Sequence, residues 1–406
     1  MRNILCNVIN PINPNEAAYL PNHIISIDAG KIVSIRPDDG VTSCEDFSHC
    51  LALPGFIDLH VHLSQYMMRG MYEPALLPWL NKHVFPEEAR SADEAYARRL
   101  AQRFFNAISS VGTTMSVIYT APFATACQTA FEEAKSLGVR ALIGMTMMDQ
   151  NSPDELLQNT AHSLDTSMIL YETWHASSPM LDYIFTPRFA PTCSMDLMRE
   201  VASFADRHNA WVQTHLSENT DELLWVQELF GLSSYTEVYQ QAGLLRSKSI
   251  FGHAIHLTDK ELRMLNEHAA KIAHCPDSNF YLKSGEYPLQ RIADAGIEFG
   301  LGSDVGAGTS LNMLHHAKMM NYRQSQLPVS PANALYHLTL GSAKVLQMDN
   351  LIGSLEAGKD ADIVLLSPPQ GYEVGEYSLS QMMFFGSEFK VRETLVNGKV
   401  LYTSEL

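Results

Sequence analysis

His60 and His62 have the residue types and the spacing for metal chemistry. They close the run Pro54-Gly55-Phe56-Ile57-Asp58-Leu59-His60-Val61-His62, an apolar strand pattern introduced by a turn dipeptide. Side chains at i and i+2 of a strand share a face, so the pair aims two imidazoles at one point. Converging neutral imidazoles suit a divalent metal. Alone, His-x-His also describes an ordinary exposed strand end. Later residues change that balance: His215, His253 and Asp304 fall at the ends of further apolar runs, and Glu218 follows His215 by three positions. Three or four nitrogen ligands with one carboxylate suit zinc, with iron as the alternative, and leave a position open for water. Such a metal brings the pKa of water to about 7, and Asp304 beside it is placed to take the proton. Glu218 has two readings, a carboxylate facing substrate or a helix-start carboxylate favoured by the dipole beside Asp221 and Glu222.

These side chains meet only if the elements carrying them are arranged around one mouth. Eight strand-like segments run through the middle of the chain, at 55–60, 113–118, 139–147, 183–189, 211–216, 249–254, 271–275 and 298–303. Helix-like stretches alternate with them, among them 92–110, 153–174, 194–208, 258–268 and 311–323. Cap residues mark several starts: Ser152 before Pro153, Ser194, and Thr258 with Glu261 as a capping box. The alternation predicts an α/β fold, a (β/α)8 TIM barrel, in which side chains at the C-terminal strand ends meet over one face. No Gly-x-Gly-x-x-Gly follows the first strand, which disfavours a nucleotide-binding doubly wound sheet. Residues 1–53 read as short strands, with Asp28-Ala29-Gly30 as a hairpin turn, and 361–366 and 391–402 read as strands with a turn at Asn397-Gly398. The expected organisation is a small β-sandwich domain built from 1–53 and 354–406, enclosing a barrel at 54–353.

Composition narrows the function. The chain has 406 residues, 46% hydrophobic and 18% charged, enough apolar material for a large core. A net charge of −17 opposes phosphate backbones, so no nucleic-acid partner is expected. No apolar run approaches a membrane span, and the first residues lack a signal-peptide pattern. The six cysteines show no metal-binding or disulfide-framework spacing. A soluble, cytoplasmic protein is the expectation.

The ordered segments Pro54–His62, Thr214-His215-Leu216-Ser217-Glu218-Asn219, His274-Cys275-Pro276-Asp277-Ser278-Asn279, Gly302-Ser303-Asp304-Val305-Gly306 and Gly353–Asp362 carry a resemblance. The chain resembles the amidohydrolase superfamily and, within it, the metal-dependent aminohydrolases of the guanine deaminase family. The resemblance implies that His60, His62, His215 and Asp304 hold one zinc per subunit. It implies that His253 assists the water, and that Glu218 and Asp304 handle protons. Leu59, Ser303 and Met115 stand where relatives often carry Thr.

Three more segments narrow the substrate: Ser64-Gln65-Tyr66, the stretch Leu76–Glu88, and Thr186–Ser194. Gln65 offers donors and an acceptor to a purine edge. The Arg188 fork matches a ring carbonyl with its neighbouring ring nitrogen, O6 and N7 in guanine. Trp79 and Phe189 supply apolar faces for a planar base. Each has a plainer reading: Trp79 as core, Gln65 as a loop residue, Arg188 paired with a barrel carboxylate. The implied reaction is hydrolytic deamination of guanine to xanthine and ammonia, in guanine degradation and by a homodimer as in many relatives. Glu218 would protonate N3, and Asp304 would take a proton from the attacking water and pass it to the departing amine. 8-Oxoguanine, a pterin, a cytosine analogue or a thioether adenosine are the alternative substrates, and a non-catalytic metal-binding protein the alternative class.

Overall fold

Hydrogen bonding gathers the strands into two sheets in the computed structural model, which describes residues 1–325 and 327–404. The chain opens with β1 (Arg2–Asn13), β2 (Glu16–Asp28), β3 (Lys31–Pro37) and β4 (Glu45–Pro54). Eight strands follow: β5 (Phe56–His62), β6 (Thr113–Thr120), β7 (Arg140–Met147), β8 (Leu181–Pro187), β9 (Trp211–Leu216), β10 (Ser249–His253), β11 (Lys271–His274) and β12 (Phe299–Leu301). These are parallel neighbours in sequence order, each close to the span expected from the apolar runs. Helices cover their outer face, so both faces are buried and the strands read as continuous rather than alternating apolar segments.

The barrel has a packed interior. Ile57 and Leu59, Met115 and Val117, Leu142, Ile184, Trp211, Ile250 and Ala273 form one buried cluster. Their alternate neighbours, such as Val61, Ile118, Ile143, Phe185 and Phe251, join the larger core beneath the helices. Closure between β12 and β5 comes just beyond the short last strand. Asp304 N donates to His60 O at 2.8 Å and His62 N to Val305 O at 2.8 Å. The buried Asp58 carboxylate accepts from Ser303 N at 2.8 Å and Ser303 Oγ at 2.5 Å.

The cap signals divide. Ser194 caps Met195–His208, and Thr258 with Glu261 forms the expected box before Asp259–Glu267. The helix expected from 153 begins instead at Thr160, capped by Asn159. The Ser152 hydroxyl donates to Gln150 O, and Gln158 bonds the backbone of Met148 through both its own N–H and its side chain. That long-range pairing holds 153–159 in turns.

The chain ends build the second sheet. β13 (Ile363–Ser367), β14 (Lys390–Val396) and β15 (Lys399–Thr403) join the first four strands in the order β15-β14-β13-β4-β1-β2-β3. β1 and β4 are parallel and the other pairs antiparallel. β1 and β2 run 12 and 13 residues, longer than the short strands expected, because irregularities at Cys6/Val8 and Pro11/Asn13 absorb the breaks in pattern. The sheet curls until its two hairpins meet. Ala361 N donates to Gly30 O and Gly398 N to Ala361 O, and a Cβ on Gly30 would overlap Asn397. Ile4, Val8, Ile25, Ile32, Ile363 and Leu395 fill the enclosed space. Arg140, 2% exposed at the start of β7, ties this sheet to the barrel through Asp360 at 2.8 Å and Asp362 at 3.1 Å.

Candidate active site

Three strand ends and one loop bring the sequence-identified histidines and Asp304 together. His60 and His62 leave β5 on one side, helped by a register shift against β6 between Asp58 and Val61. Glycines on neighbouring segments make room for His60: a Cβ on Gly252 would lie 2.8 Å from His60 Cε1, and one on Gly302 2.7 Å from His60 Cβ. His253 and Asp304 sit at φ 67° and 49°, left-handed conformations that turn each side chain at the end of its run and are held by the surrounding packing.

The four groups converge at one point. Asp304 Oδ1 lies 3.3 Å from both His60 Nε2 and His62 Nε2, and His62 Nε2 lies 3.3 Å from His215 Nε2. A tetrahedral ion with metal–ligand bonds of 2.0–2.1 Å separates its ligand atoms by roughly 3.3–3.4 Å. His215 Nδ1 donates to Arg188 O at 2.6 Å, which fixes its tautomer and leaves the Nε2 lone pair facing the centre. Burial lowers the pKa of His60, takes His62 down to about 4, and holds His215 well below the usual imidazole range. Burial acts to raise the Asp304 carboxyl, but the close contacts of Oδ1 with His60 Nε2 and His62 Nε2 outweigh it and hold it well below the usual carboxylate range. Neutral imidazoles and an ionised carboxylate are the states a cation requires. His60 Nε2 and His253 Nε2 are buried with no hydrogen-bond partner among the described residues. The donor set therefore fits a divalent metal.

His253 and Glu218 border this centre. His253 Nδ1 donates to Asn279 Oδ1 at 2.9 Å, and its Nε2 stands 3.4 Å from Glu218 Oε2 and 3.8 Å from Asp304 Oδ2. Glu218 faces the cavity instead of opening the helix: it precedes the cap Asn219, and its buried carboxyl accepts from Ser284 Oγ at 3.2 Å. Burial, with the Asp304 charge nearby, pushes the Glu218 pKa up to about 8, so it holds a proton at neutral pH. Glu222 accepts from Glu218 N at 2.9 Å and fixes that turn.

One cavity is lined by nine of the ten residues singled out in the sequence: His62, Gln65, Trp79, Arg188, Phe189, His215, Glu218, His253 and Asp304. His60, the tenth, sits at the metal centre outside the lining. Trp79 is both core and wall: it is 3% exposed, its Nε1 donates to Met71 O at 2.9 Å, and it packs with Leu76, Leu80 and Phe189. Arg188 pairs with a carboxylate, Glu88, at 2.6 Å, and still reaches the cavity. Sequence reasoning assigned no role to Glu88, Asn279, Glu222 or Ser284. Glu88 had no distinguishing signal, since adjacent Glu87 pairs with Arg90 near the surface.

Residues 51–401 match the Amidohydrolase family. The chain belongs to the amidohydrolase family. Among curated proteins, this amidohydrolase is 38% identical over 371 residues to the guanine deaminase of Escherichia coli strain K12, covering 88% of this chain and 84% of that one. It superposes on a solved E. coli guanine deaminase with a TM-score of 0.95, at 33% identity and 100% coverage of both chains. A guanine deaminase from C. acetobutylicum, solved with guanine in its active site, gives a TM-score of 0.93 at 28% identity, covering 99% of this amidohydrolase and 100% of that chain.

Proposed function

We propose that this amidohydrolase hydrolyses guanine to xanthine and ammonia, reading the base with Gln65 and Arg188 and moving protons with Glu218 and Asp304. The observation that carries this is one cavity joining three of the four converging donors, His62, His215 and Asp304, to the Gln65 amide and the Arg188 fork. Relatives named as guanine deaminases, one of them holding guanine, support the same substrate.

His60, His62, His215 and Asp304 would hold zinc, which favours nitrogen-rich tetrahedral sets. When bound, it lowers the pKa of water to about 7. Arg188 and Gln65 fix the purine edge so that C2 lies by Asp304 and N3 by Glu218. Glu218 gives its proton to N3, which draws electron density from C2. Asp304 takes a proton from the water as its oxygen bonds to C2, then returns that proton to the amine. As the C2–N bond breaks and ammonia leaves, the new C2 hydroxyl becomes a carbonyl and its proton restores Glu218. His253, tethered by Asn279, hydrogen-bonds the attacking water. The free state of all six cysteines supports a reducing, cytoplasmic setting.

Arg188→Gln separates base reading from chemistry. Guanine should lose roughly a hundredfold in kcat/KM, because its carbonyl loses a charged donor pair, while 2-aminopurine, which lacks the 6-oxo group, should lose far less. Equal losses would make Arg188 a structural residue.

A further inference from the structure

Glu88 does not line the cavity, yet both base-reading side chains rest on it. It is 1% exposed. Its Oε2 accepts from Arg188 Nη1 at 2.6 Å, and its Oε1 accepts from Gln65 Nε2 at 2.9 Å and from Ser64 Oγ at 3.3 Å. Building on the proposed reading of guanine by Gln65 and Arg188, we infer that Glu88 is a positioning residue that also sets the charge of the pocket, selecting a neutral purine base over an anionic one.

Orientation comes first. A glutamine amide can present either end, and donating Nε2 to Glu88 while Oε1 accepts from Gly306 N at 3.3 Å fixes which end faces which partner. One Gln65 N–H then remains without a protein acceptor among the described residues. Arg188 is held likewise: Nη1 is bound to Glu88, and the guanidinium carbon lies 5.3 Å from the Phe85 ring centre. Its Nε and Nη2 donors have no protein acceptor among the described residues, so a carbonyl and a ring nitrogen can take both.

Charge is the second consequence. A buried guanidinium alone would set a full positive charge against the cavity and favour anions. The carboxylate at 2.6 Å cancels that long-range field while leaving the directional donors intact. This matters for turnover, because xanthine ionises more readily than guanine. An uncompensated Arg188 would hold the xanthine anion and slow product release.

Steady-state kinetics with Glu88→Gln on the zinc-loaded, full-length protein test this, with guanine as substrate and xanthine as inhibitor. Guanine KM should rise about tenfold with kcat held within about threefold, as for loss of binding common to ground and transition states. Xanthine inhibition should tighten about tenfold as pH rises through the first ionisation of xanthine, whereas it should not tighten in the wild type. The other ionisable groups lining the cavity, Asp304, Glu218, Glu222, His62, His215 and His253, are common to both proteins, so the difference isolates Glu88. Adding Arg188→Gln should abolish the pH-dependent gain, and Glu88→Asp should raise guanine KM while keeping the wild-type xanthine profile. An unchanged KM and an unchanged xanthine profile in Glu88→Gln would overturn the assignment. If that variant does not fold, Glu88→Asp decides, and an unchanged KM there overturns it. Absence of guanine turnover in the wild type would overturn both this inference and the function beneath it; turnover without any Glu88 effect would overturn only the inference.

Discussion

Glu218 can deliver a proton only while it holds one, and burial beside Asp304 keeps it protonated up to about pH 8. A carboxyl with a raised pKa keeps its acid form at neutrality, so the activity depending on that form is lost as pH rises. On the Glu218 side, kcat/KM should fall tenfold per unit above about pH 8, measured as a pH–rate profile. Glu218→Gln should lower kcat by roughly 10²–10⁴ while zinc content, read by metal analysis, stays that of the wild type. Unchanged turnover would remove its proton role. The converging histidines and Asp304 were legible because each interrupts the end of an apolar run. Glu88 was not, because nothing local distinguishes a glutamate that meets a buried arginine 100 positions later from its neighbour Glu87.

Strands, rather than single residues, decide whether the donors converge. Gly252 on β10 is the clearest case: an added Cβ would lie 2.8 Å from His60 Cε1, and the imidazole would have to move. Gly252→Ala should therefore fold with wild-type circular dichroism yet lose most of its zinc in equilibrium dialysis. Full zinc occupancy would show that the ring tolerates the shift. The barrel strands were legible because parallel strands buried on both faces are plain apolar runs. The helix expected from 153 failed because Gln158 bonds Met148, a partner absent from the local pattern. The lengths of β1 and β2 were hidden because bulges carry pairing through a proline-containing stretch that reads as a break.

At the scale of the whole molecule, Arg140 is a buried ionic link between barrel and chain-end sheet. Arg140→Met would leave Asp362, 3% exposed, without its charge partner. Removing one member of such a buried pair costs about 3–5 kcal/mol, which should appear as a lower midpoint in denaturant unfolding. That the two ends pack together as one β domain could be anticipated from turn signals at Gly30 and Gly398. That the turns touch each other could not, since the contact depends on how far the sheet curls. On the proposed reading, this fold delivers guanine to the four converging donors. The most direct measurement is the loss of guanine absorbance by zinc-loaded protein, run beside 8-oxoguanine, pterin and cytosine. Xanthine and ammonia should form one-to-one from guanine, with kcat/KM at least about tenfold above the other rings. No guanine turnover alongside rapid turnover of another ring would contradict it.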